Sequence, residues 1–335
     1  MEEFEFSVNY TDFHKTVLQY MMQVKVATQP QLLDLSKNVY SAIMRHQRIQ
    51  QLSQENTANE NGDTSNEVTN GDGNSNDSTQ NGTSGAGGGG GGENTEDSSA
   101  DKEITLSDED ESSIKEAIDS LTNNTVEFTV VAINRKLSTV DFEIVRTSSQ
   151  ESEEILYILI NKKSDNAVKL STVFTNAEIQ IINDLIDRMF DHSNESKSSL
   201  SYSISPAVAV EIVKKSSSKT TNQQSYEFLN DLELKGWISY IDRRYALSSR
   251  ALAELKGFLI DKYGEDSAET EGSISICYGC KQIATRGLRC SNDSCFIRFH
   301  NLCKDHFIKS NNDSTKCPNN DCDLRIGEND MGIYF

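Results

Sequence analysis

The fold is decided near the C-terminus by the stretch Cys277-x2-Cys280-x9-Cys290-x4-Cys295-x4-His300-x2-Cys303-x13-Cys317-x4-Cys322, where x is any residue. All 7 cysteines of the 335 residues lie inside it. Closely spaced cysteine pairs with one histidine are typical ligands of structural zinc, and a tetrahedral site takes four of them. Eight ligands therefore predict a zinc module with two Zn²⁺ ions per chain. Because protein would fill every coordination position, we expect no catalytic metal in this module. We also expect no catalytic side chain.

The compartment follows from the way the chain uses cysteine. Met1–Phe6 carries three glutamates and lacks the basic, then apolar pattern of a secretion signal. No run approaches the ~18 consecutive apolar residues of a membrane span. Clustered thiols without such signals indicate metal binding rather than disulfides. We therefore expect an intracellular chain that does not engage a membrane.

The formal net charge of -20 is concentrated in one segment. Residues 51–110 hold 14 acidic residues and one base, Lys102, and they consist mainly of Asn, Gly, Ser and Thr with six consecutive glycines at 87–92. Such a composition cannot form a core. It predicts a disordered acidic low-complexity insertion over 51–110. The folded remainder is only mildly acidic, so net charge does not identify its partners.

Helical and strand patterns flank the insertion. Apolar residues recur at helical spacing over 11–50 and again from Ile114 to Leu121. Three β-prone runs follow at Val126–Ile133, Val140–Arg146 and Ile155–Ile160. Helices followed by a small antiparallel sheet predict a first winged-helix domain, made of residues 1–50 and 111–172.

A second winged-helix domain is predicted over 173–264. The sequence Thr175-Asn176-Ala177-Glu178 is a capping box that opens its first helix. A hairpin is expected from Trp237 to Leu247 about Asp242-Arg243-Arg244, and a last helix from Ser249 to about Tyr263. A linker at 265–274, the zinc module at 275–327 and a C-terminal tail at 328–335 complete the chain. The predicted class is α+β: tandem winged-helix domains followed by a small two-zinc cross-brace variant RING domain.

The ligand order of the zinc module resembles the RING and PHD families, in which alternate pairs share a metal. That resemblance implies two sets of ligands: Cys277, Cys280, His300 and Cys303 for the first zinc, and Cys290, Cys295, Cys317 and Cys322 for the second. Thr315 occupies the position where PHD fingers usually have an aromatic residue. This favours a RING domain over a PHD finger, and so does Pro318. His306 belongs to neither set, but it could replace Cys303 or His300 as a ligand.

RING domains recruit a ubiquitin-conjugating enzyme through an apolar residue just before the second ligand and often a basic residue after the last. Here these positions are Gly279 and Asp323, so both depart from the pattern. We expect Tyr278, Ile283 and Pro318 to form the conjugating-enzyme face, with packing around zinc as their alternative role. The four-residue spacers Cys290-x4-Cys295 and Cys317-x4-Cys322 also depart from the usual two.

The whole chain outside 51–110 resembles the non-SMC element 1 family of the complex built on the fifth and sixth SMC proteins. The short motifs that carry the resemblance are Thr11-Asp12-Phe13-His14, Gly236-Trp237-Ile238, Arg250-Ala251-Leu252-Ala253-Glu254-Leu255 and Cys277-x2-Cys280-x9-Cys290 with Gly287. The resemblance implies a nuclear protein of DNA repair and chromosome maintenance. It also implies a MAGE-domain partner, a kleisin subunit, the SMC heterodimer through these, and RING-type ubiquitin-ligase activity that the MAGE partner stimulates.

Two other functions stay open from the sequence. One is a non-enzymatic assembly subunit whose winged helices and zinc module bind the MAGE and kleisin subunits. The other is a DNA-binding winged-helix protein, but the expected reading helix Ser225–Lys235 carries Glu227, Asp231 and Glu233, which would repel phosphates. A peripheral or indirect DNA contact could use five basic residues: Lys214, Lys215, Lys219, Arg243 and Arg244.

Overall fold

The structure is a computed structural model that describes residues 9–62, 105–150, 152, 154–162, 173–190, 202–215, 220–292, 294–312 and 314–331. The chain divides into two compact units, one of residues 1–39 with 121–335 and one of residues 40–120. Within the described ranges, none of the helices combines the length and the apolar character needed to cross a lipid bilayer.

The first half of the chain contains four α-helices and three strands in the described ranges. They are α1 (Asp12–Val24), β1 (Val26–Thr28), α2 (Gln29–Gly62), α3 (Asp108–Asp119), α4 (Asn123–Leu137), β2 (Phe142–Ser148) and β3 (Ile155–Asn161). β1 and β2 both pair antiparallel with β3, which gives the sheet order β1-β3-β2. Phe13, Val17 and Met21 of α1 and Ile158 of β3 are buried. Helices capped by a small sheet form the predicted first winged-helix domain.

The prediction of a strand at Val126–Ile133 is wrong, because this run lies inside helix α4. Its β-branched residues favour strands, but Val126, Val130, Ile133 and Leu137 also recur at helical spacing and are all buried. Thr122 caps the helix through its hydrogen bonds with Thr125. The third strand of the sheet is instead β1, which lies within the region predicted to be helical.

The second unit contains the end of α2 and helix α3. Arg48 contacts Asp110 and Arg45 contacts Glu111, each at 2.8 Å. Helix α2 continues to Gly62, so residues 51–62 correct the prediction that disorder begins at 51. Gln, Leu and Glu are good helix formers and extend the helix past the last predicted turn. The remainder of the predicted insertion, residues 63–104, lies outside the described residues.

The second winged-helix domain has the predicted order of elements. They are α5 (Asn176–Phe190), β4 (Ser203–Ile204), α6 (Pro206–Lys215), α7 (Asn222–Leu234), β5 (Ile238–Ile241), β6 (Arg244–Leu247), α8 (Ser249–Glu254) and α9 (Lys256–Tyr263), with sheet order β4-β6-β5. The Thr175 amide donates to Glu178 Oε2 at 2.7 Å, which confirms the capping box. Asp242 and Arg243 adopt φ of 52° and 61° in the tight turn of the hairpin, as a type I′ turn requires.

Two details of this domain differ from the sequence prediction. Helix α7 begins at Asn222 with Thr221 as its cap, because the Thr221 hydroxyl accepts from the Gln224 amide at 3.2 Å. Ser225, the expected start, is buried within the helix. The expected last helix is split at Leu255 into α8 and α9. Lys219, one of the five basic residues, lies outside the described residues.

The zinc module follows the second winged-helix domain and has a buried cluster of its own, which includes Ala284, Ile297 and Phe299. Its strands are β7 (Gly287–Cys290), β8 (Arg298–Phe299) and β9 (Ile326–Met331), in the order β8-β7-β9, and helix α10 (Asn301–Ser310) follows β8. Ile274 and Ile283 belong to the buried core of the second winged-helix domain. Residues 328–331 continue β9, which corrects the predicted tail, and 332–335 lie outside the described residues. The domain boundaries given above stay predictions.

Candidate metal centres

The first candidate metal centre joins two segments that are far apart in the zinc module. Cys277 and Cys280 lie on a tight turn that ends at Lys281, whose amide donates to the Cys277 carbonyl at 2.9 Å. His300 precedes helix α10 and Cys303 lies in its first turn. The ligand atoms of all four residues lie within 4.8 Å of one another. The structure thus brings together the set that the cross-brace implies.

The orientation of His300 is fixed by contacts on both ring nitrogens. Nδ1 faces the sulfurs, at 3.3 Å from Cys280 Sγ and 3.8 Å from Cys303 Sγ. Nε2 lies 3.2 Å from the carbonyl oxygen of Ile283. Nε2 therefore donates its proton to that carbonyl, so a metal ion would bind through Nδ1 after displacing any proton there, as is usual for metal-binding histidines.

The second candidate metal centre has four buried cysteines. Cys290 ends β7, and Cys295, Cys317 and Cys322 lie in the loops that follow β7 and α10. The sulfurs of Cys290 and Cys322 are 3.5 Å apart, and those of Cys295 and Cys317 are 3.8 Å apart. All four sulfurs lie within 4.8 Å of one another.

The two four-residue spacers of this centre contain the same hydrogen bonds among their described residues. Asn292 Oδ1 accepts from the Ser294 amide and Asn319 Oδ1 accepts from the Asp321 amide, each at 3.1 Å. Each spacer also closes with a 3.0 Å bond from the second cysteine amide to the asparagine carbonyl. These Asx turns accommodate the extra residues, so the long spacers do not separate the ligands.

Each asparagine also reaches across to the opposite cysteine pair. Asn292 Nδ2 donates to Cys322 Sγ at 3.8 Å, and Asn319 Nδ2 donates to Cys295 Sγ at 3.7 Å. Amide donors stabilise the thiolate form that metal binding needs. The sequence reasoning missed both residues, although the repeated pattern Cys-x-Asn-x-x-Cys at 290–295 and 317–322 was a signal for them.

Both centres fit a tetrahedral cation. Thiolates at ~2.3 Å from a zinc ion would be about 3.8 Å apart, and a nitrogen and a sulfur about 3.6 Å apart, close to the separations above. Three sulfurs with one imidazole, and four sulfurs, are both common donor sets of structural Zn²⁺. His306 is exposed on α10 and lies outside both groups.

The four ligand residues of the first centre lie so close together that they shift one another's pKa values in opposite directions. The pKa of Cys277 is far below its usual value because Cys280 and Cys303 donate hydrogen bonds to it. Hydrogen bonds with Cys277 and Cys280 raise the pKa of Cys303. Burial lowers the pKa of His300, but its hydrogen bonds with Cys277 and Cys280 outweigh burial and raise it to about 10. A metal ion that displaced these shared protons would bind all four groups at once.

The three residues expected to face a conjugating enzyme have different environments. Tyr278 is 37% exposed, and its ring packs against Phe299 and Phe307 at centroid distances of 5.6 and 5.7 Å. Pro318 is half-buried. Ile283 is only 2% exposed and packs into the core of the second winged-helix domain. This burial favours the alternative role of packing for Ile283, whose side chain faces the preceding domain.

Comparison with known proteins covers both halves of the chain. The family described as "Nse1 non-SMC component of SMC5-6 complex" matches residues 95–255, and the family described as "RING-like domain" matches residues 277–322. The chain belongs to the Nse1 family. Membership accounts for a RING-like module that directly follows helical and sheet domains.

Curated relatives and a solved structure show the same Nse1 likeness. The Non-structural maintenance of chromosomes element 1 homologs of Homo sapiens and Mus musculus are each 20% identical, over 186 and 178 residues. These alignments cover 56% and 53% of this chain but only 64% and 61% of the relatives, which is less than two thirds. A chain of the solved "Nse1-Nse3-Nse4 complex" shares the fold, with a TM-score of 0.51 and 13% identity over 95% of this chain and 97% of that chain.

Proposed function

We propose that this Nse1-family chain is the RING-type ubiquitin ligase subunit of an SMC5-6 complex that acts in chromosome maintenance and DNA repair. One observation carries the proposal. The two four-ligand groups interleave along residues 277–322 in the order of a RING cross-brace, and Tyr278 stays exposed between the first two ligands.

We propose that each group holds one Zn²⁺ ion, two per chain. The metal would fix the loops of a module that has few large apolar side chains, and in small zinc domains it supplies ~10–16 kcal/mol of folding free energy. Four protein ligands per ion leave no position for substrate. The chemistry of ubiquitin transfer would therefore belong to the conjugating enzyme.

The contribution of this chain to transfer would be positioning. Tyr278 is held by Phe299 and Phe307, and Lys281 Nζ lies 4.2 Å from the centroid of the Tyr278 ring. This rigid aromatic surface, with Pro318, would orient the conjugating enzyme and its thioester-linked ubiquitin. Gly279 has no side chain to make the usual apolar contact, and an added Cβ would be crowded at 3.0 Å from Cys303 Cβ. The missing contact would make the ligase depend on help from a partner.

Partners are proposed from the named complex that the similar solved chain belongs to. We propose that the winged-helix domains bind an Nse3-type MAGE subunit and that the pair engages an Nse4-type kleisin and, through it, the SMC heterodimer. DNA contact would be peripheral or indirect. The chain would act in the nucleus, which a fluorescent fusion at the native locus would test.

The ligase proposal is tested by discharge of ubiquitin from a charged conjugating enzyme, with and without the MAGE partner. Tyr278→Ala should slow discharge at least tenfold while two zinc ions stay bound. Tyr226→Ala removes a tyrosine of α7 that is 47% exposed and is the matched control. Activity of Tyr278→Ala equal to the original chain would remove Tyr278 from the mechanism. Failure of the original chain to promote discharge with any conjugating enzyme would end the ligase proposal.

The second candidate is an assembly subunit without enzyme activity. Gly279 and Asp323 depart from the RING pattern. Ile283 of the zinc module and Ile274 of the linker pack in the core of the second winged-helix domain. A module held in this way could serve only as a docking part. Binding of the MAGE and kleisin subunits by a chain that never promotes discharge would favour this candidate.

A further inference from the structure

Gln150 contacts three parts of the chain at once. It lies in the loop between β2 and β3, the wing of the first winged-helix domain. Its backbone amide donates to the Ser249 hydroxyl of the second winged-helix domain at 3.3 Å. Its side-chain amide reaches the zinc module at Ile283–Arg286. A residue from the first domain thus bridges the two that follow.

Every polar atom of the Gln150 side chain has a partner that fixes its orientation. Oε1 accepts from the Thr285 amide at 2.7 Å, from the Thr285 hydroxyl at 2.6 Å and from the Arg286 amide at 3.0 Å. Nε2 donates to the Ile283 carbonyl at 3.0 Å. Two backbone donors require an oxygen on one side, and a carbonyl requires a nitrogen on the other. Glutamine is the residue that satisfies both.

The Ile283 carbonyl is shared between Gln150 and a metal ligand. It accepts from Gln150 Nε2 at 3.0 Å and from His300 Nε2 at 3.2 Å. The Ile283 side chain is fixed in the buried core of the second winged-helix domain. The peptide oxygen that orients the His300 ring is therefore itself held by the first winged-helix domain.

We propose that Gln150 is a positioning residue for the first metal centre, through which the wing of the first winged-helix domain orients His300. The proposal rests on the proposed binding of Zn²⁺ to that centre. Loss of a residue that hydrogen-bonds a metal ligand directly commonly lowers metal affinity by 10–100-fold. Gln150 acts one bond further away, so the effect of its loss should be at the lower end of that range. Among the described residues, Gln150 makes no hydrogen bond to any of the four cysteines of the second centre.

The test follows metal release from each centre of the full chain. Cobalt distinguishes the centres, because three sulfurs with one nitrogen and four sulfurs give different visible spectra. With a chelator in excess, Gln150→Ala and Gln150→Glu should release cobalt from the first centre roughly tenfold faster and leave the second centre unchanged. Gln150→Glu keeps an oxygen for Thr285 and Arg286 but sets a second oxygen against the Ile283 carbonyl. Gln180→Glu, in an exposed pair with Asp184 on α5, is the matched control.

Each outcome bears on a different claim. An unchanged rate of cobalt release from the first centre in both Gln150 variants would overturn the proposal. Equally faster release from both centres would also overturn it, because that result indicates a general loss of structure. An unchanged second centre shows that the variant has folded. If the original chain binds fewer than two metal ions, the zinc proposal itself fails, which the metal count before chelation shows separately.

Discussion

Gly287 lies so close to Phe299 that a Cβ added to the glycine would sit 2.0 Å from the Phe299 carbonyl oxygen. Gly287 begins β7, which pairs with β8 through Leu288 and Phe299. Its φ of 138° also belongs to a region that residues with a side chain rarely adopt. The approach of β7 to β8 positions Cys290 and His300 at the ends of the two strands, so this glycine is needed by both metal centres.

Gly287→Ala should therefore disrupt the zinc module. Backbone strain alone is of the order of 1–3 kcal/mol, and the overlap with Phe299 adds to it. Denaturant unfolding combined with a metal count should show lower stability and fewer than two zinc ions. Gly257→Ala is the control, because no heavy atom lies within 4 Å of its added Cβ and alanine favours helix α9 by up to about 1 kcal/mol. Full zinc content in Gly287→Ala would contradict this account.

The metal content of single variants distinguishes the roles of His300 and His306, the two histidines of the zinc module. His300→Ala removes a ligand atom and should reduce the metal count from two to one. His306→Ala should leave two ions bound, because His306 is exposed and lies outside both groups. Metal analysis of purified chains provides the measurement. Loss of an ion in His306→Ala would show that His306, rather than His300 or Cys303, completes the first centre.

The eight ligand residues could be predicted because they depend on short spacing and coordination chemistry, whereas their grouping by alternate pairs was implied by the resemblance to RING domains. Pairs such as Cys277 and Cys280 are neighbours in the chain, and zinc requires four ligands per site. Local rules likewise identified the Thr175–Glu178 capping box and the turn at Asp242 and Arg243. Each of these features is determined by residues within a few positions of one another.

Features that depend on distant parts of the chain could not be predicted. The run Val126–Ile133 suits a strand or a helix, and only burial of one face against the rest of the domain decides for the helix. Ile283 was expected at the conjugating-enzyme face, because its local sequence gives no sign that the second winged-helix domain packs on the zinc module. Gln150 was missed because the partners of its side chain lie more than a hundred residues away.

A buried ion pair connects the linker to the zinc module. Arg298 Nη2 lies 3.4 Å from Asp266 Oδ2, and the two side chains are 3% and 7% exposed. Asp266→Asn would leave the Arg298 charge buried without its counter-charge, which typically costs about 3–5 kcal/mol. Denaturant unfolding should show this loss. Asp12→Asn, in the exposed pair with Lys15, should leave stability unchanged within error. Equal effects of the two substitutions would contradict a stabilising role for the buried pair.

Alkaline pH should weaken the contact of Tyr202 with the segment that enters the zinc module. Its hydroxyl donates to the Ser273 carbonyl at 2.9 Å, and burial raises its pKa to about 12. The phenol of the unfolded chain has a pKa of about 10. Because the folded pKa is the higher one, the stability linked to the neutral phenol is complete below pH ~10 and is lost as pH rises towards ~12.

Tyr202→Phe tests this pH dependence. At neutral pH it should lower the free energy of unfolding by about 1 kcal/mol, because the hydrogen bonds to Ser273 and Ser275 are lost. Between pH ~10 and ~12 its stability should fall less steeply than that of the original chain. Tyr226→Phe, at an exposed site, serves as the control. Parallel curves for Tyr202→Phe and the original chain would show that Tyr202 does not titrate in this way.

The crossed asparagines of the second centre provide the last prediction. Asn292 and Asn319 donate to Cys322 and Cys295, so each amide supports a sulfur of the opposite cysteine pair. Asn292→Asp and Asn319→Asp keep the turns but place a carboxylate beside a thiolate. Each should weaken metal binding at the second centre roughly tenfold and leave the first centre unchanged. Competition with a chelator, read from the cobalt spectra, measures both centres. Asn320→Asp, at the exposed neighbour of Asn319, should change neither, and a similar loss there would indicate an effect of added charge alone.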